Sequence, residues 1–298
     1  MRRTAMAAAL VFSVSASAYA QQDWSRVDQA LGRPGQTQPD GAHKFSFPRT
    51  DLNVTLDGVE VKPALALGSW LAFQQVGGEA SVMGDLVLTE AEINPVLSKL
   101  IEHDIAVTGL HNHLLRAQPT TMYMHVSGSG DPVKLAAALR DALVVTKTPM
   151  VTAAAPPPQQ ASGSAEASDP VVTTIEQTLA RKGKMNGGVY QMSVPGAETV
   201  RMMGTDVPDS AGTSIAMNFQ PTGGGKVAAT GDFALVDTEV EPVIRALREN
   251  GIEVTALHNH MLMEEPRLFF MHFWVNDDAG KVAKGLKAAL DKTNVKPG

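Results

Sequence analysis

From residue 24 onward the chain switches between two periodicities. Some stretches place apolar residues three and four apart, as a helix with one buried face requires, and others alternate apolar and polar at every second position, as a half-buried strand does. Read this way, Trp24–Leu31 is a short amphipathic helix stopped by Gly32, and "LNVTLDG" and "SWLAFQQ" are strands. The strand "EASVMGDLVL" leads into Thr89 and, three positions on, Glu92, which is the capping-box pattern, and Ile93, Val96, Leu97 and Leu100 then keep helical spacing. Two more strands follow, "IAVTGLHNHLL" and "TMYMHVSGS", joined by a hairpin over Arg116–Pro119, and the helix "DPVKLAAALRDAL" closes the unit.

The same pattern then runs a second time. Placing His111 on His258 superimposes Gly84-Asp85 on Gly231-Asp232, Glu92 on Glu239, Pro95 on Pro242, Val107-Thr108 on Val254-Thr255 and Met124-His125 on Met271-His272, all without gaps. A short helix over Thr174–Arg181 opens the second copy as Trp24–Leu31 opens the first. The repeat is far longer than a solenoid unit, so it is a duplicated domain. We assign the first domain to residues 24–147 and the second to 171–294, with a Pro/Ala/Ser-rich solvated linker over 148–170. The expected fold class is α+β: two tandem β-β-α-β-β-α domains, each an antiparallel sheet with helices packed on one face.

Composition narrows the setting. The chain begins MRRTAMAAALVFSVSASAYA, a basic pair, a short apolar run and small residues, which reads as a secretory signal peptide over 1–20 cleaved after Ala20. The mature protein is expected in the periplasm or secreted. There is no cysteine for a disulfide or a lipid anchor, and no later apolar run suited to a membrane span. The net charge of −6, or −8 once Arg2 and Arg3 are removed, disfavours nucleic acid as a partner. "TGGGK" at 222–226 lacks the spacing of a phosphate-binding loop and reads as a hairpin turn.

The chemistry lies in two words, "LHNHLL" (110–115) and "LHNHML" (257–262), which hold four of the eight histidines. Alternation puts His111 and His113 on one strand face. A hairpin centred on Gln118 pairs His111 with His125, and one centred on Glu265 pairs His258 with His272, giving the triads His111, His113, His125 and His258, His260, His272. Three convergent imidazoles with an open fourth position are what a catalytic or transport zinc site needs; copper accepts the same donors. Met124 and Met271 alternate away from these rings and read as core. Packing histidines copied by the duplication, and metal-free acid–base use, are the competing readings.

Glu92 and Asp85 are the candidate catalytic carboxylates, against capping for Glu92 and a turn or bulge for Asp85. Arg49, in an Arg-Thr-Asp run found only in the first copy, is a candidate binder of an anionic group, against a plain ion pair.

"FPRTDLNVTLDGVEVKPALALGSWLAF" (47–73), "GDLVLTEAEINPV" (84–96), "VTGLHNHLL" (107–115) and "MHVSGSGDP" (124–132), with their second-copy counterparts, make the chain similar to the LppY/LpqO-like bacterial exported proteins, built from a tandem domain of unknown function. Some of those are lipoproteins; this chain lacks the cysteine. The resemblance implies no activity and no catalytic residues. The leading expectation is therefore an envelope protein that binds a divalent transition metal, zinc before copper, or a small ligand or envelope component held through it. A metal-dependent hydrolase acting on envelope material and a metal-free interaction or scaffold module are the alternatives.

Overall fold

A computed structural model describes residues 23–150 and 169–297. The expected signal peptide and residues 151–168 of the expected linker lie outside the described residues. The first repeat runs α1 (Ser25–Leu31), β1 (Gln36–Thr37), β2 (His43–Pro48), β3 (Val54–Leu56), β4 (Val59–Val61), α2 (Pro63–Ala66), β5 (Gly68–Val76), β6 (Glu79–Thr89), α3 (Glu90–Glu102), β7 (Ala106–His111), β8 (Thr121–Gly130) and α4 (Pro132–Leu143). The second runs α5 (Pro170–Leu179), β9 (Lys184–Asn186), β10 (Val189–Val194), β11 (Arg201–Met202), β12 (Thr205–Asp206), β13 (Ile215–Gly223), β14 (Lys226–Leu235), α6 (Asp237–Glu249), β15 (Glu253–His258), β16 (Glu264–Glu265), β17 (Phe269–Asp278) and α7 (Ala279–Leu290). Among the described residues no helix is long and apolar enough to cross a membrane.

Each repeat forms a six-stranded antiparallel sheet, ordered β1-β2-β5-β6-β8-β7 in the first and β9-β10-β13-β14-β17-β15 in the second. Each unit is larger than the β-β-α-β-β-α order expected of it. "LNVTLDG" does not join the main sheet; it pairs with β4 as a separate two-stranded ribbon, and the unforeseen strand β2 takes the place beside β5. The opening helix of the second repeat starts at Pro170 rather than Thr174. Asp169 accepts the Val171 amide at 2.8 Å and Pro170 occupies the first turn, where its missing N–H costs nothing.

Helices cover one face of each sheet. In the first repeat Val27, Leu31, Val96, Leu100 and Leu139 close over Phe45, Phe73, Leu86 and Met124. In the second, Ile175, Val243, Leu247 and Leu286 close over Phe219, Phe233, Met271 and Phe273. The methionines expected in the core, Met124 and Met271, are both fully buried there. The "TGGGK" stretch is the β13–β14 turn, where Gly223, Gly224 and Gly225 all take positive φ, 92°, 59° and 76°, a run that side chains would strain.

The other face of each sheet is covered by the other repeat. The ribbon β3–β4 and α2 lie over the second sheet, and Val54, Leu56, Leu65 and Tyr123 share one apolar cluster with Val189, Ala228 and Trp274. The segment carrying β11 and β12 reciprocates, since Ala72 and Met83 cluster with Val200, Ala211, Met261 and Phe270. Side-chain amides seal the seam: Asn218 Nδ2 donates to Leu65 O at 3.0 Å, Gln191 Nε2 to Ala64 O at 2.8 Å, and Gln220 Nε2 to Glu60 O at 2.7 Å. Two sheets whose polar faces would otherwise meet water thus enclose a space between them.

Candidate metal centre

The histidines lie in that space. Strand β7 ends at His111 and β15 at His258, so His113 and His260 stand in the bends that follow, not on the strand face expected of them. In the first bend Asn112 Oδ1 accepts the Leu114 amide at 2.7 Å, a local turn that swings His113 back toward His111. The register also differs from expectation. His125 pairs with Gly109 and His111 with Tyr123, two residues off, and His272 pairs with Ala256 and His258 with Phe270, the same displacement in both repeats. The pairing closes about Ala117 rather than Gln118, around a nine-residue connection over 112–120 in place of the tight hairpin. A slip of two preserves the face, because side chains alternate with period two, so the rings still meet.

The larger correction is that the two triads are not two sites. Ring centroids within the first triad are 4.8 Å apart for His111–His113 and His111–His125. Rings from opposite repeats are closer still: His111–His258 3.4 Å, His113–His272 3.5 Å and His125–His260 3.9 Å. Six imidazoles from both repeats form one cluster, related by the pseudo-symmetry of the duplication. Aromatic shelves hold its ends, with His113 stacked on Tyr123 at 3.6 Å and His260 on Phe270 at 3.4 Å. Thr108 Oγ1 donates to the His260 carbonyl and ties one edge strand to the opposite loop.

Asp85 and Asp232 join the cluster. Asp85 sits opposite His125 in the β6–β8 ladder, and Asp232 opposite His272 in β14–β17. Both are buried. Asp232 oxygens stand 3.5 Å from His260 Nε2 and 3.6 Å from His272 Nε2, too long for good hydrogen bonds and well placed for a shared cation. The glycine before each aspartate keeps the strands in contact: a Cβ on Gly231 would lie 2.0 Å from the Ala216 carbonyl, and one on Gly84 2.7 Å from the Trp70 carbonyl.

Every Nε2 of the six rings is buried without a hydrogen-bond partner among the described residues, as are Asp85 Oδ1 and Asp232 Oδ1. On the far side of the ring, the Gly84 carbonyl faces His125 and the Gly231 carbonyl faces His272. A carbonyl there holds the proton on Nδ1 and leaves Nε2 as a lone pair aimed inward. His111, His113, His125 and His258 present ligand atoms within 4.8 Å of one another, and so do His258, His260 and His272. A tetrahedral ion with bonds of about 2.0–2.1 Å needs donors roughly 3.4 Å apart, so modest ring movement closes either set on an ion.

Burial first, and then the neighbouring rings, pull these imidazoles down: His258 to about 3 and His113, His125, His260 and His272 well below 6.5. Burial alone lowers His111 to about 4, against a small opposing pull from the Asn112 backbone. Burial pushes the Asp85 carboxyl up to about 8 against the pull of Lys44, and burial together with Asp85 raises Asp232 well above the usual carboxylate range.

Glu92 and Arg49 are elsewhere and are spent. Arg49 is fully buried and all its donors are used: Nε and Nη2 on Asp51, Nη1 on the Val87 carbonyl, and Nη1 and Nη2 on Glu92 at 2.9 and 3.1 Å. It has no donor left for an anionic ligand. Glu92 accepts the Thr89 and Lys147 amides besides Arg49. Burial alone would raise its carboxyl, but Arg49 and the two amides outweigh burial and hold it below the usual range. Glu92 is a helix cap and ion-pair partner rather than a base. A residue missed in the sequence is Lys44, whose ammonium enters the space between the sheets; the alternation of "HKFSFP" was its signal.

A family model described as Domain of Unknown Function (DUF1259) matches residues 25–145 and again 173–292. No curated protein matches the chain. Among solved structures it is similar to a trimeric bacterial microcompartment shell protein, PduB, at 10% identity over 87% of this chain and 89% of that one, with a TM-score of 0.21. It is similar also to EtuB from Clostridium kluyveri, at 9% identity over 86% and 88%, with a TM-score of 0.20. Likeness at that level carries no argument.

Two outcomes follow for the metal-free chain. Each ring has a folded-state pKa below its unfolded 6.5, so its stabilising share is complete above about 6.5 and is lost as pH falls toward about 4 for His111 and about 3 for His258. The raised carboxyls act in the opposite sense, but two of them face six rings, and the unfolded chain binds more protons at pH 5. The melting temperature should therefore fall between pH 7 and pH 5; an unchanged or higher value contradicts the buried neutral cluster. Arg49→Met, which strands Glu92, should cost about 3–5 kcal/mol of unfolding free energy in a denaturant titration. Metal uptake per folded chain should be unchanged, and a stable variant that loses metal would contradict the separation of Arg49 from the histidine cluster.

Proposed function

Since the chain belongs to the family of the Domain of Unknown Function (DUF1259), whose description carries no activity, we propose a role from its own residues: it binds a divalent transition metal, zinc before copper, in one centre built by both repeats. The observation that carries this reading is the set of six buried, unpartnered Nε2 atoms converging from two domains. Unprotonated nitrogens facing one another cannot satisfy each other, and each buried unmet group costs about 1–3 kcal/mol. A cation answers several at once. Packing histidines or a metal-free scaffold would leave that cost standing.

The setting we propose is the cell envelope, in keeping with the leader-like first twenty residues and the resemblance to the LppY/LpqO-like exported proteins. A second reading is favoured by a specific feature, a cavity of about 240 Å³ that reaches Asp85, Asp232, His113, His260 and His272. A metal-dependent hydrolase needs this access and a carboxylate near bound water, a part that falls to Asp85 or Asp232 rather than Glu92.

Elemental analysis of untagged protein after reconstitution with zinc should give about one ion per chain or more. His113→Ala and His260→Ala, from opposite repeats, should each weaken the whole centre. Fewer than about 0.1 ions per folded chain overturns the reading; two independent sites, each abolished by a variant in its own repeat alone, overturn the shared centre.

A further inference from the structure

The cavity is not symmetric, although the histidines are. Register places Lys44 opposite Ala72 in the first sheet and Gln191 opposite Asn218 in the second, so the two are counterparts, as are Trp70 and Ala216. Gln191 spends its amide on the Ala64 carbonyl. Lys44 lines the cavity, sits 4.4 Å above the Trp70 ring and makes one hydrogen bond, to the Ser210 carbonyl at 2.8 Å. An ammonium carries three donors, and Lys44 makes no ion pair among the described residues, Asp40 and Asp85 acting on it only from a distance. Burial lowers it to about 8, which leaves it mostly cationic at neutral pH.

A partly buried cation with donors to spare therefore lines the cavity from β2, three strands away from His125 on β8. Ser214, Asn218 and Thr230 line the same cavity, as do the imidazoles of His113, His260 and His272. The charge balance favours an anion. Asp209 also lines the cavity but is neutralised by Lys296 at 2.9 Å, so even with Asp85 and Asp232 both ionised, a divalent ion and Lys44 leave the cavity one charge positive.

We propose that this cavity binds a small anion, a carboxylate or a phosphate, held at one end by Lys44 and completing the coordination of the metal at the other. The inference rests on the metal reading above. It goes further in giving the site two unlike sides, so that a bound molecule has one orientation, fixed by Lys44, where the second repeat has Gln191.

Cobalt(II) reports both steps, because its visible spectrum shifts when a ligand joins the ion. The full chain is loaded with cobalt(II) and titrated separately with inorganic phosphate and with malonate. At least one anion should shift the spectrum saturably, and which one does so identifies the ligand chemistry. Lys44→Met should take up cobalt as the wild type does and bind that anion about 10- to 100-fold more weakly, as loss of a charge-assisted hydrogen bond implies. Lys44→Arg should keep most of the affinity. Cobalt uptake with no anion response, or equal affinity in wild type and Lys44→Met, overturns the anion site and leaves the metal centre standing. No cobalt uptake at all removes both.

Discussion

An antiparallel sheet has two faces, and in each repeat helices cover only one of them. The other face carries histidines, aspartate, asparagine and glutamine on alternate positions, and the protein buries it by laying one repeat against the other. Burial makes those groups costly. Nine unpartnered polar atoms of the histidines and aspartates, at about 1–3 kcal/mol each, amount to a sum comparable with the whole stability of an ordinary domain. The rest of the structure can be understood as the means of making that burial tolerable. The exchanged segments around β3–β4 and β11–β12 supply apolar area at the seam, and Asn218, Gln191 and Gln220 satisfy exposed carbonyls there. Most of what remains unmet among the described residues is concentrated at one point, and its lone pairs match the needs of a metal ion.

Duplication explains both the symmetry and its breaking. Two copies of one sheet, related by an approximate two-fold, bring His111 against His258 and His113 against His272, so three histidines per repeat become a single six-membered set. Once the copies share a centre, a change in one copy alters the common site on one side only. Lys44 where the second repeat has Gln191, and Trp70 where it has Ala216, are such changes, and they give the enclosed cavity a cationic side.

Much of this was legible in the sequence. The repeat, the antiparallel sheets, the capping box at Thr89–Glu92 and the convergence of His111, His113 and His125 all follow from periodicity and spacing. The convergence survived two errors, the register and the strand position of His113, because a two-residue slip preserves the face and because the Asn112 turn returns the ring to it. The meeting of the repeats was not legible. Nothing within one copy says what covers its second face, and an exposed site on a lone sheet satisfies the same pattern. Glu92 misleads for a related reason: a carboxylate that caps a helix and one that serves a metal look alike in sequence, and only the guanidinium of Arg49, from a strand end 43 residues away, separates them.

The central claim is that both repeats ligate the same ion. Diffraction from zinc-soaked crystals of the full chain, with anomalous data at the zinc edge, addresses it most directly. Density is expected between the two sheets, with imidazole nitrogens of both repeats at about 2.0–2.1 Å from zinc. Zinc held by the histidines of one repeat alone, or only on the outer surface, would contradict it.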